Sequence, residues 1–235
     1  MKRIFKNILG KFTNNFFPLE AIDRNRPISV QKILWDEARR ESAEFCRPHL
    51  ESALLLDDED ALRRFVISKT PSAGLILEFG VYQAHSLNLF ANYCKKKGDG
   101  RTLYGFDSFE GLEEEWFGHF SSAADFDLGG ALPKVEENVK LFKGWIDKTL
   151  PEFLASTSEL IALVHIDIDT YTPAKLILEY LNDRLVSGSI ILFDDFYGYP
   201  NWQNGEYRAF IEVLGERNIE FIAFGSEQVA IRIID

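Results

Sequence analysis

A chain of 235 residues is long enough for one sizeable α/β core and short for two full domains. With 46 % hydrophobic residues, 20 of them Phe and 4 Trp, it is not a disordered or fibrous chain. A formal charge of −11 argues against a nucleic-acid partner, because phosphate binding needs a basic surface.

The first twenty residues, "MKRIFKNILGKFTNNFFPLE", differ from the rest. Lys2, Arg3, Lys6 and Lys11 against Glu20 give a net +3, which leaves −14 on residues 21–235. Charge interrupts the apolar residues, so the segment has neither a signal-peptide core nor a transmembrane span. It fits an arm lying on an anionic surface or a partner, or one packing on its own protein. Cys46 and Cys94 show no metal or redox spacing and read as buried or free thiols, as in a reducing, cytoplasmic setting.

Residues 28–70 read as helical, with Val30, Ile33, Leu34, Ala38 and Phe45 on one stripe. "DDEDALRRFVISK" follows, with acids at its start and Lys69 near its end, as a helix dipole prefers. From residue 74 the pattern alternates. Apolar runs at 75–80, 102–109, 139–145, 161–169, 189–196, 219–225 and 229–235 predict seven strands. Helical stretches at 86–97, 134–140, 147–155, 173–185 and 205–217 separate most of them. Such alternation implies a parallel sheet with helices on both faces. Only "SEQ" divides the last two strands, so they form an antiparallel hairpin.

This outline resembles the Rossmann-like class I methyltransferases, whose mostly parallel sheet ends in an antiparallel strand. In such sheets ligands bind at the carboxyl ends of the strands. The first ends in "LEFGVYQAHS", where Glu78 and Gly80 look like the acidic-x-Gly start of an S-adenosylmethionine loop. Gly80 lets the backbone approach the cofactor, and a helix opens near Ser86. Ala84 and His85 stand where that loop usually carries glycine. The second strand, "LYGFDSFEGL", ends in Asp107, placed to accept both ribose hydroxyls or to make a turn before Ser108. "LFKGWIDKTLP" offers Gly144 and Trp145, the indole flanking an adenine or filling the core. Two further strands end in acids: "IALVHIDID" in Asp167 and Asp169, "SIILFDDF" in Asp194 and Asp195. By strand alternation His165 shares a face with Asp167 and Asp169.

"LEFGVY", "YGFDSFEGL", "KGWIDKTLP", "HIDIDTY" and "GSIILFDDF" occur in the order and spacing of the macrocin O-methyltransferase family, which the chain resembles over residues 75–235. That family methylates sugar hydroxyls with S-adenosylmethionine and a magnesium ion. The resemblance implies that Glu78, Gly80, Tyr82, Ser86, Asp107, Ser108, Gly144, Trp145 and Asp167 bind the cofactor. It implies that Asp167, Asp194 and Asp195 hold Mg2+, a hard cation suited to oxygen ligands from adjacent strand ends. Asp167 would help deprotonate the acceptor, with His165 as a base or a neighbouring support. Asp169, His119, Tyr197 and Trp202 are candidates for the substrate side, alongside Tyr199 and Tyr207. His119 sits in a long aromatic-rich insertion, and such loops at strand ends usually carry function.

The implied acceptor is a sugar hydroxyl of a glycan or glycosylated natural product. A catechol-type small molecule has the same diol geometry, and a non-catalytic or hydroxylase-like protein on this scaffold stays open. Residues 1–70 would be a helical arm or lid and a possible homodimer contact, residues 71–235 the methyltransferase domain.

Overall fold

The structure, a computed structural model, describes residues 29–235. The basic arm at residues 1–20 lies outside the described residues. Met1–Ile33 and Leu34–Asp235 are separate compact units. Of the first, the described residues open helix α1 (Val30–Cys46), where Ser29 Oγ accepts the Lys32 amide at 3.2 Å, a cap for one orphan donor.

The second unit is built on eight strands: β1 (Leu54–Leu55), β2 (Leu75–Phe79), β3 (Leu103–Asp107), β4 (Val139–Lys143), β5 (Ile161–Ile166), β6 (Ile190–Phe193), β7 (Ile219–Phe224) and β8 (Val229–Ile233). Their order is β1-β7-β8-β6-β5-β2-β3-β4. Strand β8 runs antiparallel to β6 and β7, and every other pairing is parallel. This is the α/β fold expected, with one strand more than the seven read from the sequence. Strand β1 is the addition. Two residues are too few to show an alternation, and Leu54 and Leu55 are extended because they pair with Ala223 and Phe224.

Strands β2, β5 and β6 are buried along their whole length, which is why they read as unbroken apolar runs. Helices α2 (Glu59–Lys69) and α3 (His85–Lys97) cover one face through Leu62, Val66, Leu87 and Phe90. Helices α4 (Ile146–Ala155), α5 (Tyr171–Leu181) and α6 (Glu206–Leu214) cover the other through Leu150, Phe153, Ile177 and Phe210.

One further expectation is corrected. Residues 134–140 form no helix: Asn88 of α3 donates to the Lys134 carbonyl and accepts the Glu136 amide, and a turn at residues 137–138 then leads into β4. In the compact unit that begins at Leu34, β1 extends the sheet and α2 packs in the core. Among the described residues no helix is long and apolar enough to cross a membrane.

From β2 the chain steps outward to β3 and β4, then returns to place β5 on the other side of β2. The crevice at a reversal of this kind is where open α/β sheets bind ligands.

Candidate active site

The site begins where β2 and β5 end side by side. Gly80 donates its amide to the Phe106 carbonyl at 3.0 Å, and Asp167 donates its own to the Phe79 carbonyl at 2.9 Å. Gly80 has φ +82°, and a Cβ there would lie 1.5 Å from the Asp167 carbonyl oxygen. Only glycine lets these two segments touch. Beyond it the loop keeps left-handed turns without glycine, at Tyr82 (φ 45°) and Ala84 (φ 62°). Asp107 holds that loop: its Oδ2 accepts the Val81 and Tyr82 amides at 2.7 Å each, and its Oδ1 accepts the Phe109 amide at 2.6 Å.

Seven of the nine expected cofactor residues line one cavity: Gly80, Tyr82, Asp107, Ser108, Gly144, Trp145 and Asp167. Phe106, Leu112, Phe126 and Ile146 give it apolar walls. Glu78 and Ser86 lie off the cavity. Both are buried, and Ser86 Oγ donates to Glu78 Oε1 at 3.0 Å. They support the loop from beneath. Replacing Asp107 with Ala removes an acid from the cavity and the anchor of three amides. The variant is expected to bind S-adenosylhomocysteine about 30–100-fold more weakly in a calorimetric titration. Unchanged affinity would exclude Asp107 from the site.

His165 is corrected as a base. It is 0 % exposed, with Nδ1 3.0 Å from Glu78 Oε2 and Nε2 3.3 Å from Asp194 Oδ1. Burial opposes its charge, but the bonds to Asp194 and Glu78 outweigh burial and raise its pKa to about 10. Both ring nitrogens then donate, and no lone pair remains to take a proton.

The acids divide into two sets. Asp194 Oδ1 accepts from Arg63 Nη2 at 3.0 Å, from His165 and from Gln228 Nε2. Burial works to raise the Asp194 pKa, yet His165 and Arg63 leave it below its ordinary value. On the other side, carboxylate oxygens of Asp167, Asp169 and Asp195 lie within 4.8 Å of one another. Burial first, then neighbouring acids, push Asp167 and Asp195 well up, and Asp169 up to about 6. The expected trio of Asp167, Asp194 and Asp195 is thus spread over two groups that share Asp167, with Asp194 and His165 on one side and Asp169 and Asp195 on the other. An all-oxygen set of buried acids suits a hard divalent cation, which would remove their mutual repulsion.

Three contributors escaped the sequence reading. Arg63 and Gln228 hold Asp194, as above. Glu206, at the first position of α6 and 0 % exposed, accepts the Ile168 amide at 3.4 Å and the Asp195 amide at 3.3 Å. It clamps the two acidic strand ends together. In sequence it looks like an ordinary acid favoured by a helix start.

Asp169, left-handed at φ 64°, also borders a second cavity with Glu115, Trp116, Tyr171, Tyr199 and Asn204. The insertion roofs it, with Asn201 Nδ2 donating to the Phe117 carbonyl at 3.0 Å. Of the other substrate candidates, His119 stacks on Trp116 at 3.7 Å, and burial lowers its pKa to about 4, so it stays neutral. It supports the wall and is not among the residues lining this cavity. Tyr197 and Trp202 are corrected: both are core, Tyr197 donating to the Gly225 carbonyl at 2.9 Å and Trp202 packing on Tyr207.

A family profile described as "Methyltransferase domain" matches residues 77–196, half of the chain and the whole of this acidic rim. The chain belongs to that family. A 4'-O-methyltransferase of 8-demethyl-8-(2,3-dimethoxy-α-L-rhamnosyl)-tetracenomycin C from Streptomyces olivaceus is 29 % identical over 143 residues, 52 % of this chain. The match spans 53 % of that relative, about half its length. Among solved structures, the calicheamicin methyltransferase CalS11 aligns with TM-score 0.58 and 25 % identity, over 89 % of this chain and 87 % of that one. The O-methyltransferase NovP aligns with TM-score 0.56 and 18 % identity over 75 % and 79 %, a likeness of fold. In this methyltransferase domain the matched segment carries both acidic strand ends, while Arg63, Glu206 and Gln228 lie outside it.

Proposed function

We propose that this chain is an O-methyltransferase that moves the methyl group of S-adenosylmethionine to a sugar hydroxyl, with a divalent cation such as Mg2+. The observation that carries this reading is the meeting of two cavities at Asp169, beside the convergent oxygens of Asp167, Asp169 and Asp195. The first cavity, with its aromatic and apolar walls and its acids, suits a nucleoside that bears a sulfonium charge. The second, with Trp116, Tyr199 and Asn204, suits a ring carrying hydroxyls. The Streptomyces olivaceus relative is named for methylating a rhamnosyl group, which supports a sugar as acceptor.

Asp167 would hold the ion together with Asp194 on one side and Asp169 and Asp195 on the other, and when bound it supplies Lewis acidity that lowers the pKa of an acceptor hydroxyl. The protein's own part is alignment. Asp107 fixes the donor loop, Gly80 brings that loop onto Asp167, and Glu206 sets the spacing between the two acidic ends. Radiolabelled S-adenosylmethionine with a panel of methyl glycosides and catechols tests the reading. Label on a glycoside, lost on chelation and restored by Mg2+, is expected. Label on catechols alone would exclude the sugar.

A further inference from the structure

Arg63 lies in α2, well before the segments that carry the site, yet its guanidinium reaches the site's floor. It is 6 % exposed, with Nη2 3.0 Å from Asp194 Oδ1 and Nη1 3.2 Å from Glu59 and 3.5 Å from Asp60. Anchored by those two acids, the planar fork has little freedom to turn away. Three donors from three elements converge on the same oxygen of Asp194: Arg63 of α2, His165 of β5 and Gln228 beside β8. None of these bonds goes to Oδ2. Loading one oxygen fixes the plane of the carboxylate and leaves the other as its free acceptor. Asp194 is also close to the site, since its carboxylate, that of Asp167 and a His165 nitrogen lie within 4.8 Å of one another.

We propose that Arg63 is a positioning residue of the methyl-transfer site, orienting the Asp194 carboxylate so that its free oxygen is presented beside Asp167 to a divalent cation. This rests on the O-methyltransferase reading above. The proposal has a sign that separates it from charge alone. Removing a cation next to a metal site strengthens metal binding by Coulomb's law, whereas removing a support that orients a ligand weakens it.

The test is Mn2+ titration of metal-free, full-length protein, read by electron paramagnetic resonance, with calorimetric S-adenosylhomocysteine binding alongside. Arg63→Met is expected to weaken Mn2+ binding by about 10–100-fold, the usual effect of losing such a support. Its S-adenosylhomocysteine affinity should stay near that of the wild type. Arg63→Lys should recover part of the loss. Arg64→Met removes the same charge from the neighbouring residue, which pairs with Asp60 and is not bonded to Asp194. It should bind Mn2+ as the wild type does.

A folded Arg63→Met protein that binds Mn2+ equally or more tightly overturns the proposal and leaves the O-methyltransferase reading intact. A wild type that binds neither Mn2+ nor S-adenosylhomocysteine overturns both. Should Arg63→Met not fold, Arg63→Lys decides, because it keeps the charge and loses the fork. Wild-type Mn2+ affinity in that variant overturns the proposal.

Discussion

Replacing Gly80 with Ala is expected to abolish S-adenosylhomocysteine binding and to lower the stability of the whole protein. The new methyl group would sit 1.5 Å from the Asp167 carbonyl oxygen, on backbone at φ +82°. The obstacle is main chain, which no rotamer change can clear. Either β2 and β5 part at their ends or the loop to Tyr82 leaves its place, and both disrupt the cavity lined by Gly80, Asp107 and Asp167. Left-handed strain and overpacking together cost about 3 kcal/mol or more. A thermal melt and a calorimetric titration measure the two effects. A variant with unchanged melting temperature and affinity would mean that the two strand ends are not in contact.

The second large effect concerns charge. Asp167→Asn should reduce methyl transfer by about 10²–10⁴-fold, the span expected where a proton acceptor is lost, with an added loss of metal binding. Cofactor affinity should fall far less, because Asp107 and the apolar walls remain. Full turnover by this variant, or by metal-free enzyme, would assign these acids another purpose. The same acids set a pH dependence. Asp169 is raised from 3.8 to about 6, chiefly by burial, so between those values the folded chain holds a proton that the unfolded chain has released. Stability of the metal-free protein is therefore fully present below the lower value and falls as pH rises through the higher. Asp167, Asp195 and Glu206 are shifted in the same direction. A divalent cation removes the repulsion, so it should raise the melting temperature more at about pH 8 than at about pH 5. Equal shifts at both would place the ion elsewhere.

The fold was legible because periodicity follows local geometry. Strands buried on both faces must be apolar throughout, as in "LILEF" and "IALVHI", and "SEQ" is too short to cross over a sheet. The acids at strand ends were legible for the same reason: a carboxylate cannot continue a buried strand without a partner, so Asp167 and Asp194 mark where β5 and β6 leave the core. Asp107 and Gly80 were likewise visible at ends of strands. Strand β1 and the non-helical stretch at 134–140 were not, since each owes its conformation to a distant partner, β7 in one case and Asn88 in the other.

Which polar groups meet was decided by the tertiary structure alone. In sequence Arg63 is one of two adjacent arginines on a charged helix, His165 shares a face with two acids, and Tyr197 and Trp202 look like a sugar platform. Folding buries Arg63 against Asp194, locks His165 between Glu78 and Asp194, and packs both aromatics into the core. A side chain's charge and size belong to its residue, but its partner and its burial depend on segments tens of residues away. Strand spacing fixed the acids at one rim of the sheet. Only the packing of α2, α6 and the β7–β8 turn beneath that rim determined that Asp194 is held by Arg63 while Asp167, Asp169 and Asp195 are left facing one another.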